Sequence, residues 1–287
     1  RGDAAVDVRN LTRQLLDVAR EIGVPQPARY DLQDYPSAAA LAAAVRYPAF
    51  VKTGVEAGLP PRERYRVVTT APELLAAVDR MRAVTSAPLI QEMITGDGIG
   101  FEALYDFEGR MAASFCHRRL REYPLSGGPS TYCERADVPL AAEYARRLLD
   151  HFKWTGLAMV EFKLDARDGV PKLMEINPRP WGSMALPIAA GVDFPWLAYL
   201  LARDGKLSEH PDPGGRHRLR FLVNDLQAVA ALTRRAPTAR ERVRLAASLL
   251  DPRVHEGVLR FSDPLPSAAY LLKGLQAFRR GAADPIA

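Results

Sequence analysis

The sequence predicts an α+β fold: two small lobes with a cleft between antiparallel sheets, followed by a helical extension. Three features predict it. Helix and strand periodicities alternate as far as Asp193, several strand pairs are separated only by turn residues, and beyond Asp193 the pattern turns helical. Residues 11–22 set apolar groups at helical spacing, and Gly23-Val24-Pro25 ends that helix. The alanine-rich stretches 37–45 and 72–84 are the next helices, each leading into an apolar strand, at 47–51 and 88–94. A loop with Gly54, Gly58, Pro60 and Pro61 follows Lys52 and ends in the charged run Arg62, Glu63, Arg64 and Arg66. Residues 101–107 and 110–118 alternate as strands about Glu108-Gly109, a hairpin signal. A helix over 140–152 and two further strands come next. The lobes divide at the Gly- and Asp-rich residues 95–100, giving a small lobe over 29–95, a large lobe over 96–205 and a helical tail over 206–287.

Of the 287 residues, 48% are apolar and 25% charged, an ordinary composition for a folded chain. A chain of this size buries roughly three quarters of its unfolded surface, so its cores need no covalent staples. Cys116 and Cys133 have neither a CxxC nor a Cys/His spacing and read as reduced thiols of a cytoplasmic protein. No run reaches the roughly 18 apolar residues of a membrane span, and the N-terminus lacks the apolar core of a secretory signal. The balance of 39 basic against 34 acidic residues, +5, is too mild and too dispersed to indicate nucleic acid as a partner. Only six of the basic residues are lysines, and the first 152 residues hold one, Lys52. Where arginine is the default cation, a lysine marks a position that wants a compact, rotatable point charge rather than a planar fork.

The chemistry concentrates in residues 156–177, two strands joined by the turn Ala166-Arg167-Asp168-Gly169. Centred on Asp168, this hairpin sets Glu161 opposite Glu175. Alternation places Val160, Phe162, Leu164, Met174 and Ile176 on an apolar face, and Met159, Glu161, Lys163, Leu173, Glu175 and Asn177 on the other. Two opposed carboxylates destabilise a sheet unless a cation joins them, and with the Asn177 amide they make a patch of hard oxygen donors of the kind magnesium accepts. A solvated face on which Lys163 neutralises one glutamate is the other reading. Asn177-Pro178-Arg179-Pro180-Trp181-Gly182-Ser183 then holds an arginine between two prolines, which limits where the guanidinium points and suits phosphate.

Met-Glu-Ile-Asn-Pro-Arg at 174–179, with Val-Glu-Phe across the hairpin, resembles the metal-binding strands of the ATP-grasp superfamily, in its carboxylate–amine ligase subgroup of ATP-dependent carboligases. Tyr-Pro-Ala-Phe-Val-Lys at 47–52 is similar to the family's strand ending in an ATP lysine, and Leu-Ile-Gln-Glu-Met-Ile-Thr-Gly at 89–96 to its adenine hinge. The resemblance covers residues 10–200 and implies an ATP-grasp fold with ATP and one or two magnesium ions, or manganese, as cofactors. On this resemblance Lys52 would contact ATP phosphates, the loop with Gly54 and Gly58 would close over them, Gln91, Glu92, Met93 and Ile94 would hold adenine, and Asp97 would reach ribose. Glu161, Glu175 and Asn177 would hold metal, and Arg179 would neutralise the transferred phosphoryl group. A small-molecule carboxylate would become an acyl phosphate, which an amine would displace to give an amide, ADP and phosphate.

Two departures from the family pattern stand out. Members usually carry a second ATP lysine near the first helix, where this sequence has Arg9 and Arg13. They also usually have a preceding nucleotide-binding-like domain, so residues 1–28 read as a linker helix left after it, with a separate chain or domain, or a homodimer, as the implied protein partner. The same departures fit a catalytically degenerate nucleotide-binding or regulatory module. An arginine-rich nucleic-acid binder is the third reading, against which the acid and amide triad argues.

Cys116-His117-Arg118-Arg119-Leu120-Arg121 ends a strand, in which alternation puts Arg119 and Arg121 on one face and Arg118 on the other. By the resemblance Arg118 and Arg119 join Lys52 and Arg179 in catalysis, while Arg121, Ser126, Gly127 and Gly128 bind substrate, the glycines permitting close backbone approach. A charge-guarded edge strand is the competing reading, and His117 is either a base or structural. Trp181 and Ser183 line the acceptor pocket, with core packing as the alternative for the tryptophan. The tail from Arg216 sets apolar groups beside arginines at helical spacing and reads as packing across the core in preference to a membrane-surface helix.

Overall fold

Alanine-rich helices over short apolar strands build the first of two units, which comprises Arg1–Gly96 and Phe162–Glu175. The structure is a computed structural model that describes residues 11–53, 64–85, 88–125, 127–207, 211–215, 217–260 and 262–279. Helix α1 (Leu11–Glu21) turns Leu16 and Ala19 wholly inward, so it belongs to this unit's packing rather than hanging from it as a linker. Strands β1 (Arg29–Tyr30), β2 (Ala49–Lys52), β3 (Tyr65–Val68) and β4 (Leu89–Glu92) form an antiparallel sheet in the order β1-β4-β2-β3. Helices α2 (Ala38–Ala44) and α3 (Ala71–Arg82) start at Ser37 and Thr70, whose hydroxyls accept from Ala40 and Glu73 backbone N–H groups. Glu73 in turn accepts from the Thr69 N–H at 2.7 Å, and the helices cover Val51, Val68 and Ile90 with Leu41, Leu74 and Val78. The expected loop up to Val67 therefore ends in a strand. Its sequence, Tyr-Arg-Val-Val, is β-prone but follows a charged run that hides it.

The second unit comprises Asp97–Glu161 and Ile176–Ala287. It holds β5 (Gly98–Tyr105), β6 (Met111–Glu122), β7 (Ser130–Arg135), α4 (Pro139–His151), and parts of β8 (Gly156–Leu164) and β9 (Pro171–Asn177), which run on into the first unit. After them come α5 (Ala185–Ala189), α6 (Phe194–Asp204), β10 (Arg218–Arg220), α7 (Leu222–Arg235), α8 (Ala239–Ser248), β11 (His255–Glu256) and α9 (Pro264–Arg279). The seven-stranded sheet has the order β11-β10-β7-β6-β5-β8-β9. The tail is thus not purely helical: β10 pairs antiparallel with β7 and parallel with β11, so the tail extends the sheet. Strands of three and two residues carry no period that a sequence reading can detect. Helix α7 buries Val223, Ala228 and Val229, and among the described residues no helix is long and apolar enough to cross a membrane.

The hairpin of β8 and β9 departs from its expected symmetry. Gly169, at φ +69°, donates to the Asp165 carbonyl while the Asp165 N–H donates to Val170, which makes Gly169 an extra, bulged residue. At the turn the pairing is therefore offset by one residue from a centre on Asp168. The expected faces also differ, since Leu173 and Asn177 are buried and Glu175 exposed. The Leu173 N–H donates to the Pro25 carbonyl at 2.8 Å, so chain following α1 covers this strand.

At the hairpin tip Arg167 bonds both Asp165, with its Nε at 2.9 Å, and Glu92 on β4. The Arg167 guanidinium holds the Asp165 carboxyl down at about 2. A carboxyl with a depressed folded-state pKa stabilises the fold above its unfolded value, near about 4, and loses that contribution as the pH falls toward the folded value. Asp165→Asn should lower stability at neutral pH and flatten the stability profile between about pH 4 and 2, measured by urea denaturation across pH.

Candidate functional site

In the first unit Lys52 closes β2 with its ammonium directed inward. Its Nζ donates to Gln91 Oε1 at 3.0 Å and lies 5.0 Å from the Phe50 ring centre. Phe50 and Gln91 are register partners, so all three side chains share a face. Burial lowers the Lys52 pKa, partly offset by the Glu175 carboxylate. In the hinge, the Glu92 and Met93 N–H groups are spent on the carbonyls of Ala28 and Pro48 at 2.9 and 3.0 Å. Any base read there would meet carbonyls and the backbone of Ile94 rather than those two donors. The Glu92 carboxylate is structural, accepting from Ala28 N–H and from Arg167.

The second unit brings Glu161 and Asn177 together. Asn177 Nδ2 donates to Glu161 Oε1 at 3.1 Å, and Arg119 Nη2 lies 2.6 Å from Glu161 Oε2. Arg119 starts on β6 and reaches β8 by crossing β5 at Gly98, where a Cβ would lie 2.8 Å from its Cδ. One step along, Gly100 does the same for His117, whose ring atom Cε1 would be 2.3 Å from a Cβ there. His117 then meets Glu102, both buried, and burial raises the Glu102 pKa. The sequence reading missed Gly98, Gly100 and Glu102. Their signal is a period-two Gly-x-Gly-x-Glu run, small residues on the face that long neighbouring side chains must cross. His117, at 1% exposure, is structural in this setting rather than a solvent-reaching base.

The three strand arginines do not sort as alternation predicts. Arg118 is the register partner of Glu134, Arg119 of Cys133 and Arg121 of Tyr132, with Leu120 bulged out between the last two. The extra residue flips Arg121, so Arg118 and Arg121 share one face and Arg119 points to the other. Arg118 lies 3.6 Å from Asp97, the residue expected at ribose, on the face away from Glu161. Arg121 is buried and clamps Asp225 of α7 with Nε at 2.7 Å and Nη2 at 2.5 Å, stacks over Tyr132 and donates to Ser248. Its guanidinium anchors the tail, which corrects the substrate role expected of it.

Other expected site residues also fall into structural places. Trp181 is 4% exposed and packs edge-on against Phe194, 5.2 Å between ring centres, so core packing holds and the acceptor-pocket role does not. Ser183 is buried, its carbonyl receiving the Leu186 N–H. Gly127, at φ +122°, and Gly128, where a Cβ would lie 2.2 Å from the Tyr123 carbonyl, are required by the turn itself and not by an approaching ligand. Arg179 is exposed beside a cavity of about 390 Å³ that also touches Tyr105 and Trp154. Gly54, Gly58, Ser126 and Arg9 lie outside the described residues, as does the side chain of Arg13. Burial pushes both thiols up to about 12, so neither is a nucleophile at neutral pH.

Among the described residues no group of three His, Cys, Asp or Glu side chains is placed to hold a metal. By side-chain chemistry alone, Glu161 and Asn177 of the second unit, and Glu175 of the first, each offer hard oxygens of the kind magnesium accepts, and Asn177 turns its nitrogen rather than its oxygen to Glu161.

The family model described as "ATP-grasp in the biosynthetic pathway with Ter operon" matches residues 85–224, just under half of the chain. No curated protein matches. Among solved structures, the ADP complex of an N5-carboxyaminoimidazole ribonucleotide synthetase superposes with a TM-score of 0.59 at 14% identity, over 83% of this chain and 70% of that one. The Staphylococcus aureus N5-carboxyaminoimidazole synthetase with ADP gives 0.57 at 15%, over 73% and 55%. The biotin carboxylase domain of Hydrogenobacter thermophilus 2-oxoglutarate carboxylase, with MgADP, ADP and bicarbonate, gives 0.55 at 15%, over 70% and 48%. The chain spans about half the length of the carboxylases it matches.

Arg121→Ala should cost about 3–5 kcal/mol in chemical denaturation, because it strands the fully buried Asp225 carboxylate with Thr131 as its remaining partner.

Proposed function

We propose that this chain, which matches an ATP-grasp family model over residues 85–224 and shares a fold with N5-carboxyaminoimidazole ribonucleotide synthetase, is an ATP-grasp enzyme: an ATP- and magnesium-dependent ligase that activates a carboxylate as an acyl phosphate and joins it to an amine. One observation carries the reading. Glu161 and Asn177, the acid and the amide of the sequence motif, meet at 3.1 Å on neighbouring strands, and Arg119 sits on the same carboxylate. Magnesium held by Glu161, Asn177 and Glu175 would offset phosphate charge. Lys52 contributes a cation held by Gln91, Arg119 keeps Glu161 oriented, and Arg179 offers an exposed guanidinium to the transferred group. Phosphoryl transfer asks a protein for positioning and charge neutralisation, so no side chain acts as a covalent nucleophile.

The partners of this reaction are a small carboxylate and an amine. Bicarbonate, present in one of the similar structures, is the smallest acid to try.

The experiment is ADP release from ATP and magnesium across a panel of acids, bicarbonate included, each offered with amines. The expected result is release that needs one acid–amine pair and falls at least about 100-fold in Glu175→Ala. Nucleotide binding with no turnover on any pair would instead identify a degenerate nucleotide-binding module.

A further inference from the structure

The bulge at Leu120 has a second effect, on the far side of the large sheet. Tyr132 and Glu134 of β7 and Arg218 of β10 point away from the face that carries Cys133, Arg119 and Glu161. Helices α7 and α8 span this opposite face and leave a cavity of about 640 Å³ between themselves and the strands, within the usual range for a small-molecule site of about 300–1,000 Å³. Every lining residue belongs to the second unit.

The walls have a definite chemistry. Tyr132, Leu232 and Leu245 are apolar surfaces, and four arginines, 121, 218, 235 and 244, face two glutamates, 134 and 241. Two of the arginines are fixed. Arg121 is locked to Asp225, and Arg218 bonds Glu134 at 3.1 Å and Asp251 at 3.3 Å. These pairs hold the back wall rigid while neutralising it. Arg244 differs: it projects from the exposed face of α8 and has no acidic partner among the described residues. Packing alone does not call for a guanidinium there, since the adjoining Leu245 already covers the cavity edge. Planar cations above an apolar floor recognise an anionic head on an apolar body.

We propose that this cavity is a second small-molecule site, which takes an organic anion with a carboxylate or phosphate head on an apolar or aromatic body. The head lies against Arg244 at the mouth, and the body lies over Leu232 and Leu245, with Tyr132 behind the Arg121 guanidinium at the back wall. The site is separate from Glu161 and Asn177, because the β-sheet stands between them.

Calorimetric titration of the full chain at low salt with benzoate and with phenyl phosphate tests it, with benzyl alcohol as the neutral control. Binding of one charged probe and not of benzyl alcohol is expected, and the stronger probe identifies the head group. Arg244→Ala, at an exposed helix position, should weaken that binding at least about tenfold. Leu245→Trp should weaken it by narrowing the cavity beside Arg244, and Lys52→Ala should leave it unchanged. The proposal is overturned if neither probe binds, if benzyl alcohol binds equally, or if Lys52→Ala removes binding that Arg244→Ala retains. That last outcome would place the anion at the nucleotide site and leave the ligase reading standing, whereas failure of ADP release alone would leave this cavity standing.

Discussion

One extra residue in one strand organises the large sheet. Without Leu120 as a bulge, Arg119 and Arg121 would lie on the same face and compete for the same acids. With it, Arg119 crosses β5 to Glu161 and Arg121 turns to Asp225. The first contact orients the Glu161 carboxylate. The second ties α7 to β6. A buried aspartate without that arginine would be an unpaired charge, so the tail docks where the bulge points.

Arginine outnumbers lysine heavily in this chain, and most of the described arginines have structural work. Arg167 joins the hairpin tip to β4, Arg220 donates to the carbonyls at the end of α8, and Arg121 holds Asp225. A planar fork suits these jobs because it satisfies two oxygens at once. Lys52 has a different setting, half-buried against Phe50 and Gln91 with Glu175 as its electrostatic counterweight. Its lowered pKa reflects the cost of holding a point charge in a dry place.

Much of this was legible in the sequence. The helices at 37–45, 72–84 and 140–152 announced themselves by their alanine-rich composition and periodicity, and Glu108-Gly109 marked the β5–β6 turn. The Glu-x-Asn-Pro-Arg run stood out because strand alternation keeps residues two apart on one face, whereas the structure leaves Glu175 exposed and buries Asn177 beside Glu161. What failed shares one cause. Strands β10 and β11 have too few residues to show a period, and their pairing comes from neighbours distant in the chain. Trp181 could not be assigned because an aromatic beside a motif looks the same whether a pocket or Phe194 receives it.

The sequence by itself determined the order of helices and strands, the isolated lysine and the motif that places an acid, an amide and an arginine within a few residues. These are local properties, fixed by side-chain period and backbone preference. Only the tertiary structure decided which arginine meets which acid. Glycines at 98 and 100 had to make room, a bulge at Leu120 had to reverse the faces, and Asp225 had to arrive from far along the chain. Partner choice depends on register and on desolvation, and both exist only once strands and helices have packed.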